Sequence, residues 1–471
     1  MKKRSKRHRK ALWAGAFTRP SGRALSRLSV SHPFDRRLAK QDIAGSRAHA
    51  RGLARAGLLP RKDLARIEKG LARIEREIAD GRFVFADQDE DIHLNVERRL
   101  IELAGRSGER LHAGRSRNDQ VALDLRLWTL EAIGRVGRGL QGLAGLLLDR
   151  ADEFLRAGIV IAARTHMRSA QPILLAHAFH AYAEMLARDL ERMRDTRSRT
   201  AVSPLGSGAC AGTTLPIDRR RAARELGLSQ LSANSLDAVS DRDFAAEFEF
   251  GAALAMVHLS RLAEDLILWT GEEYRLFRLS DSSTTGSSMM PQKKNPDSLE
   301  LARGKAGRVA GDLLASLMVL KGLPLSYNRD LQETQEPLFD AAETLETALD
   351  AMHETIVGLE PIAPGERAPM DSQTLATDIA EALVSQGVPF RRAHEIVARW
   401  SLLAAQARAD LREIAAVDAP ALRPFLSRLT PESAVARRDI PGGTAPRRVR
   451  AAIARTRSRL RYLGGSVKAS R

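Results

Sequence analysis

Three polar segments interrupt a mostly helix-forming chain of 471 residues, and each contains side chains suited to chemistry on an anion. The segment Ser280–Glu300, SDSSTTGSSMMPQKKNPDSLE, opens with hydroxyl residues and ends with lysines just before helix-forming residues. Gly114–Gln120 contains two arginines beside Asn118, and guanidinium groups bind carboxylates or phosphates through paired hydrogen bonds. The third segment contains Thr165 and His166. Together these residues indicate a site that would hold and cover an anionic substrate.

Each of these segments also has a plainer interpretation. A hydroxyl-rich loop can be a solvated connection, an arginine can form an interdomain salt bridge, and a lone histidine is more often structural than catalytic. No group of His, Cys, Asp or Glu residues has the sequence spacing of a metal site, and no phosphate-binding glycine motif is present. The residue types by themselves leave the catalytic and the structural interpretations open.

The stretches between the polar segments predict long helices. Apolar residues recur at steps of three and four through Leu174–Arg194 and Asp243–Trp269, and Glu300–Leu320 and Leu338–Leu359 continue the pattern. Only 4% of residues are aromatic, whereas helix-forming residues are abundant. The polar segments, including the one with His166, are expected where long helices start or end. Helices of this length predict an all-α fold built on a central bundle.

A chain of this length is expected to form more than one domain. We predict an N-terminal helical domain with a basic tail over residues 1–117 and a central long-helix bundle with the catalytic loop over residues 118–365. A small C-terminal helical domain with a basic tail is predicted over residues 366–471. Its first helices are expected at about Ser372–Gln386 and Arg392–Ala415.

The composition restricts the partners and the compartment. The net charge of +17 comes in large part from the two ends of the chain, which would suit nucleic acid or simply a solvated arginine-rich surface. The second interpretation is favoured because no interleaved aromatics or zinc spacing accompany the charge. Cys210 is the single cysteine, so we expect no disulfide within the chain and a reducing, cytoplasmic compartment. No apolar run is long enough to span a membrane, and the basic N-terminus is expected to be a disordered tail.

The sequence GSSMMPQKKNPDS resembles the signature GSSxMPxKxN of the fumarase/aspartase superfamily, and its QKKNPD form is similar to the argininosuccinate lyases. The resemblance covers nearly the whole chain from about Leu12. Further segments resemble that family in the same order: Asp91–Glu97, LHAGRSRNDQV, THMRSAQP, Ser203–Arg219, Asn234–Phe244, Lys321–Glu333 and Gly387–Val397.

This resemblance implies a homotetramer whose active sites each combine residues from three subunits. It implies the reversible elimination of argininosuccinate to L-arginine and fumarate, with no metal and no organic cofactor. Two alternatives are a paralogous C–N lyase that releases fumarate from another N-substituted aspartate, and an inactive structural or nucleic-acid-binding relative. Retention of the family's reactive residues argues against the inactive relative.

The resemblance also implies roles for individual residues. Ser287 matches the family's base and His166 its acid, although the two roles can be assigned in the opposite sense. Glu300 matches the carboxylate that pairs with this histidine, and Lys293 matches the lysine that meets developing negative charge. Positions that match substrate contacts are Ser31, His93, Arg117, Asn118, Thr165, Asn295, Tyr327 and Gln332.

Five positions depart from the family's pattern. Ala16 replaces an arginine, Arg164 a tyrosine, Arg168 a glutamine and Gln335 a substrate-binding lysine. Met289 replaces a leucine, which conserves volume and is expected to be harmless. The residues for the elimination are therefore retained, whereas the two arginines and Gln335 are expected to affect which amine leaves.

Overall fold

The computed structural model describes residues 22–86 and 89–467, and most of these are helical, which confirms the predicted all-α class. Ala16 and the basic N-terminal tail lie outside the described residues, as do the last four residues of the C-terminal tail. None of the described helices combines the length and the apolar character that crossing a membrane requires.

Among the described residues, six helices precede the long bundle: α1 Arg23–Ser29, α2 His32–Asp35, α3 Ala39–Arg55, α4 Arg61–Ala79, α5 Ile92–Ala104 and α6 Arg106–Glu109. Helix α3 ends at Arg55, and Pro60 is the N-cap residue directly before α4. Helix α5 begins where the side chain of Asp91 accepts a hydrogen bond of 2.6 Å from the N–H of Leu94.

The central helices are α7 Arg117–Arg156, α8 Leu175–Thr200, α9 Arg219–Glu225, α10 Ser235–Ala238, α11 Asp243–Thr270, α12 Asp297–Leu320 and α13 Gln335–Val357. Helix α7 begins inside the polar segment Gly114–Gln120, so the expectation that this segment interrupts the helices is wrong for its last four residues. Ser116 and Asp119 form a reciprocal capping box, which starts the helix at Arg117. Helix α7 packs along α8, and α11 packs along α12.

The last helices are α14 Ala376–Ser385, α15 Phe390–Ala407, α16 Leu411–Asp418, α17 Arg423–Leu426, α18 Pro431–Arg437 and α19 Pro446–Val467. The single helix predicted at Arg392–Ala415 is wrong, because Arg408 adopts the left-handed conformation (φ 51°) and the side chain of Asp410 caps α16. Helices α14 to α17 enclose a hydrophobic core of their own, whereas α19 packs against α7 and α8. The predicted domain boundaries stay predictions.

Short 3₁₀ segments lie at Arg36–Leu38, Asp281–Ser283, Arg329–Thr334, Pro364–Glu366, Ser372–Leu375 and Pro420–Leu422. The strands are β1 Val160–Thr165, β2 Arg168–Leu174, β3 Val202–Ser203, β4 Gln230–Leu231, β5 Phe277–Arg278, β6 Thr285–Gly286, β7 Lys294–Asn295 and β8 Glu360–Pro361. They form four two-stranded ladders, of which β3–β4 is parallel and β1–β2, β5–β8 and β6–β7 are antiparallel.

One of these ladders overturns an expectation about His166. The sequence predicts this residue at a helix entry, but it lies in the turn of the β1–β2 hairpin. Gly158, with φ 63°, follows the end of α7, and the β-branched pair Val160 and Ile161 favours a strand. Pro172 then prevents the returning segment from being the interior of a helix.

Candidate active site

Four stretches far apart in sequence meet around Arg117, and we call this group the Arg117 cluster: Ser31, Asp91, Arg117, Asn118, Tyr327 and Arg329. The N–H of Ser31 donates a 2.7 Å hydrogen bond to the carbonyl of Glu90. Arg329 donates to the Glu90 carboxylate at 3.2 Å and to a main-chain carbonyl at 2.8 Å. Nε of Arg117 lies 3.5 Å from a carboxylate oxygen of Asp91. The cluster therefore unites four of the eight predicted substrate contacts, which are Ser31, Arg117, Asn118 and Tyr327.

Tyr327 joins this cluster from the loop after α12. Its burial raises the pKa of the phenol, although the charge of the buried Arg242 opposes that shift, so Tyr327 is a neutral hydrogen-bond donor. Gln332 follows on the 3₁₀ segment and is half-buried. Gln335, where the family has lysine, is only 4% exposed at the first position of α13. Its Oε1 lacks a hydrogen-bond partner among the residues that the structure describes.

The N-terminus of α7 holds a glycine loop in place. Asp119 accepts hydrogen bonds from the N–H groups of Gly206, at 3.0 Å, and Gly208, at 2.9 Å. Gly208 has φ 60°, and a Cβ there would lie 2.6 Å from the carbonyl oxygen of Gly212, so this turn requires glycine. Nδ2 of Asn118 donates to the carbonyl of Ala209 at 3.0 Å. The loop and the two predicted contacts Arg117 and Asn118 are thereby fixed relative to each other.

His93 is placed differently from the other predicted substrate contacts. It is 1% exposed, and its Nδ1 lies 3.2 Å from Asp42 Oδ1 and 3.3 Å from Asp124 Oδ2. Gln120 donates a short hydrogen bond to the same Asp42 oxygen. The ligand-type atoms of His93, Asp42 and Asp124 lie within 4.8 Å of one another. Sequence spacing does not reveal this group because its members lie on three different helices.

Burial and charge act in opposite directions in this group. Burial would lower the pKa of His93, but the hydrogen bond and charge of Asp42 outweigh it and raise the pKa to about 9. The same contact lowers the pKa of Asp42 against the effect of burial. Burial and the neighbouring charge of Asp42 raise the pKa of Asp124 well above its usual range. His93 is therefore an imidazolium that ties α5 to α3 and α7, which favours a structural role.

The stability of the fold should depend on pH through His93. Its pKa is higher in the folded chain, so its contribution is fully present below the unfolded pKa of 6.5 and is lost as pH rises through about 9. The shift corresponds to roughly 3 kcal/mol. In His93→Gln, the fall in the urea midpoint between pH 6.5 and 9 should be smaller than in the unmodified protein.

Burial raises the pKa of Glu249 to about 8, so this residue also makes stability depend on pH in the same range. The test therefore compares how steeply the urea midpoint falls with pH in His93→Gln and in the unmodified protein. His394→Gln is the matched control, since His394 is exposed and should leave the slope unchanged. An equal slope in His93→Gln and in the unmodified protein would contradict the charged assignment.

Thr165 and His166 lie exposed at the turn of the β1–β2 hairpin. His166 has φ 52° and Met167 φ 60°, so both central residues of this two-residue turn are left-handed. The hairpin borders a cleft of about 890 Å³, which His166 lines together with Tyr274 and Asp371. The imidazole is therefore accessible from outside the chain.

The segment Ser280–Glu300 forms a protruding hairpin closed by β6 and β7. Oγ of Ser287 accepts hydrogen bonds from the N–H groups of Met289, at 3.3 Å, and Met290, at 3.1 Å. Two N–H donors stabilise negative charge on this oxygen. Met289 is 87% exposed, so the tip of the hairpin extends away from the body of the subunit.

The two lysines of this hairpin differ in their surroundings. Lys294 forms an ion pair with Asp281. Lys293 has no carboxylate within 4.0 Å across residues 22–86 and 89–467, so its charge is available for a ligand. Asn295 lies half-buried in β7, and Glu300 is exposed in the first turn of α12. Lys293, Asn295 and Glu300 follow one another along the chain in the same order as in the family's motif.

The predicted site residues therefore lie in three groups: the Arg117 cluster, the β1–β2 hairpin with His166, and the Ser287 hairpin. Within the described ranges, no hydrogen bond or ion pair joins His166 to Glu300, and none joins either residue to Arg117. The single chain does not assemble the expected constellation.

Comparison with known proteins identifies relatives that match almost the whole chain. Residues 15–311 match a family described as lyase, and residues 373–436 match the argininosuccinate lyase C-terminal family. An argininosuccinate lyase from Symbiobacterium thermophilum is 48% identical over 94% of this chain and 97% of its own length. One from Nitrosomonas eutropha is 47% identical over 96% of this chain and 99% of its own length.

Solved structures show the same fold. A complex of EDDS lyase with formate superposes with a TM-score of 0.81, at 28% identity, over 94% of this chain and 91% of that chain. A class II fumarase from Schistosoma mansoni superposes with a TM-score of 0.73, at 16% identity, over 87% of this chain and 92% of that chain. The near-full-length identity to the curated enzymes is what decides the family. This chain belongs to the argininosuccinate lyase family.

Proposed function

We propose that this protein cleaves argininosuccinate reversibly to L-arginine and fumarate. The observation that carries the proposal is the Ser287 hairpin. Its serine oxygen accepts two main-chain N–H groups, and Lys293 nearby has no carboxylate within 4.0 Å among the residues that the structure describes. Near-full-length relatives with 48% and 47% identity bear the name of this activity. The reaction breaks a C–H bond and a C–N bond, forms the double bond of fumarate, and returns a proton to the departing guanidinium nitrogen.

Ser287 is the proposed base, which takes the proton from the carbon next to a substrate carboxylate. A serine is a weak base in water, so it needs donors that stabilise its deprotonated oxygen. The N–H groups of Met289 and Met290 supply two such donors. Closure of the exposed hairpin over the substrate would exclude water and strengthen these interactions.

Lys293 and Asn295 are proposed to stabilise the negative charge that develops on the substrate carboxylate. The charge of Lys293 is not neutralised by a nearby acid in the part of the chain that the structure describes. A single well-placed donor of this kind lowers the barrier by about 3 kcal/mol. These residues therefore act while the proton leaves carbon, as negative charge develops on the carboxylate.

His166 is the proposed acid that protonates the leaving nitrogen. His166 is exposed at the hairpin turn, where one ring nitrogen would meet the substrate and the other Glu300 of another subunit. A carboxylate on one ring nitrogen would fix the tautomer and leave the other nitrogen to transfer the proton. Thr165, beside it, is the proposed contact to a substrate carboxylate.

The Arg117 cluster is proposed to bind and orient the substrate. Arg117 suits a carboxylate because its guanidinium can form two parallel hydrogen bonds. Asn118 and the neutral phenol of Tyr327 provide further donors. Ser31 and Gln332 are the remaining proposed substrate contacts of this part of the site. Gln335 and His93 are buried, and we propose that they support these contacts from the interior of the subunit.

Release of fumarate tests the function directly. Adding argininosuccinate to the purified protein should produce the ultraviolet absorbance of fumarate, with arginine in equal amount. No fumarate from argininosuccinate, with fumarate released from another N-substituted aspartate, would indicate the paralogous lyase instead. No fumarate from any such compound would indicate an inactive relative.

The paralogous lyase is retained as a second candidate because of one position. The family's lysine is replaced by Gln335, which is uncharged and buried, so one cation for a substrate carboxylate is absent there. EDDS lyase, with 28% identity over 94% of this chain, shares the same fold. A panel of aspartyl amines compared by kcat/KM separates the two candidates.

We propose further that the active form is a homotetramer with shared active sites. Helices α11 and α12 expose apolar side chains that a soluble subunit would be expected to cover. These exposed residues are Phe250, Val257, Leu301, Leu314, Leu317 and Met318. The separation of the three site groups supports the same proposal, because association of subunits would bring them together.

Shared sites predict that two inactive variants can restore activity when mixed. Ser287→Ala and His166→Asn subunits, dissociated together and reassociated, should regain about one quarter of the unmodified activity, because about one in four sites receives both intact residues. Each variant treated alone is the control and should stay inactive. Absence of recovery in mixed tetramers, with mixing shown by mass spectrometry, would mean that one subunit supplies both residues.

A cytoplasmic location is proposed from the chemistry of the chain. Cys210 is the only cysteine in the sequence and is unpaired and partly accessible, which suits a reducing compartment.

A further inference from the structure

The turn that presents His166 is strained. His166 and Met167 both have positive φ, and neither is the Asn-Gly type of residue that such a turn favours. The pairing also shifts register between Ala162 and Arg164, which interrupts the ladder just below the turn. The base of the hairpin is anchored, since the N–H of Leu174 donates to Thr444 Oγ1 at 2.9 Å. The turn itself therefore depends on side-chain contacts.

Arg164 supplies such a contact. Its guanidinium carbon lies 4.1 Å from the centroid of the Tyr274 ring, within the range of a cation–π interaction. Its Nη1 also donates to the carbonyl of Met167 at 3.4 Å, which links the ring to the turn. Arg164 thus connects the strained turn to a second element of the subunit.

Tyr274 belongs to a firmly held part of the fold. It packs against the main hydrophobic core in the loop after α11. The N–H of Leu276 donates to the carbonyl of Trp269 at 2.9 Å, and the N–H of Arg275 donates to Gly271 at 3.0 Å. The ring is therefore a fixed surface on which the hairpin can rest.

We infer that Arg164 is a positioning residue, which holds the His166 turn in place by stacking on Tyr274. The inference rests on the proposed function only for the role of His166 in turnover. It revises the expectation that Arg164 selects the leaving amine, because its guanidinium face is occupied by the ring. Its loss should then affect kcat, through the position of His166, and leave KM nearly unchanged.

A double-mutant cycle tests whether Arg164 acts through Tyr274. Arg164→Met and Tyr274→Leu should each lower kcat for fumarate release about fivefold, and the double variant should be no slower than either one. Arg275→Met removes a cation from the same loop as Tyr274 and is the matched control, with activity unchanged. A rise in KM at constant kcat in Arg164→Met, or fully multiplicative losses in the double variant, would overturn the inference.

Hydrogen exchange provides a readout that does not depend on the substrate. The amides of residues 165–168 should exchange about fivefold faster in Arg164→Met and in Tyr274→Leu than in the unmodified protein. Equal exchange rates would overturn the inference even if argininosuccinate is cleaved. If the unmodified protein releases no fumarate, the proposed function fails, whereas the exchange rates still decide whether Arg164 positions the turn.

Discussion

Replacing Ser287 by alanine should lower kcat for fumarate release by about 10³-fold, because general base catalysis contributes about 10²- to 10⁴-fold. The Ser287 oxygen accepts two main-chain N–H groups, so the variant also leaves those donors without a protein acceptor. KM for argininosuccinate should change much less, since the Arg117 cluster that is proposed to bind the substrate is untouched. Steady-state kinetics followed by ultraviolet absorbance measures both constants.

Ser288→Ala is the matched control for this prediction. Ser288 is exposed on the same hairpin and accepts neither of the two N–H groups that Ser287 accepts. It should retain nearly full turnover. If both variants lose activity equally, the defect lies in the conformation of the hairpin, and Ser287 is not the base.

Replacing His166 by asparagine should lower kcat by about 10²-fold, because the leaving nitrogen then lacks its proton donor. Asparagine is the suitable substitute because it tolerates the left-handed backbone that His166 adopts at φ 52°. The hairpin and the assembly of subunits should therefore be preserved. Turnover is measured by fumarate release, and assembly by light scattering.

A substitution at the neighbouring position of the turn distinguishes the loss of the acid from a change in the conformation of the hairpin. Met167→Leu is this control, and it should retain nearly full turnover. Near-normal turnover in His166→Asn, with assembly intact, would exclude His166 as the acid.

The helices were the most predictable part of the fold. Predicted Asp243–Trp269 corresponds to α11 Asp243–Thr270, and predicted Leu174–Arg194 begins one residue from α8. These boundaries follow from apolar periodicity, which is a property of neighbouring residues. The prediction of one helix over Arg392–Ala415 is wrong because Arg408 adopts the left-handed conformation and divides it. Arginine rarely adopts that conformation, so the sequence does not indicate a break there.

The side chains available for elimination, and their order along the chain, follow from the amino-acid sequence alone. The motif GSSMMPQKKNPDS contains Ser287 and Lys293, and the chemical groups of these residues are the same however the chain packs around them. The long helices also follow from the sequence, because their periodicity is local. Neither depends on where distant residues lie.

Only the tertiary structure decided the environments of those side chains. It enclosed His93 between Asp42 and Asp124, buried Gln335, and placed His166 on a hairpin turn beside the Arg164–Tyr274 contact. Burial, charge pairing and ring stacking arise between residues that are far apart in the chain. The strength of these interactions depends on distances that are set by packing. The sequence therefore identifies the residues involved but does not show which of them are in contact.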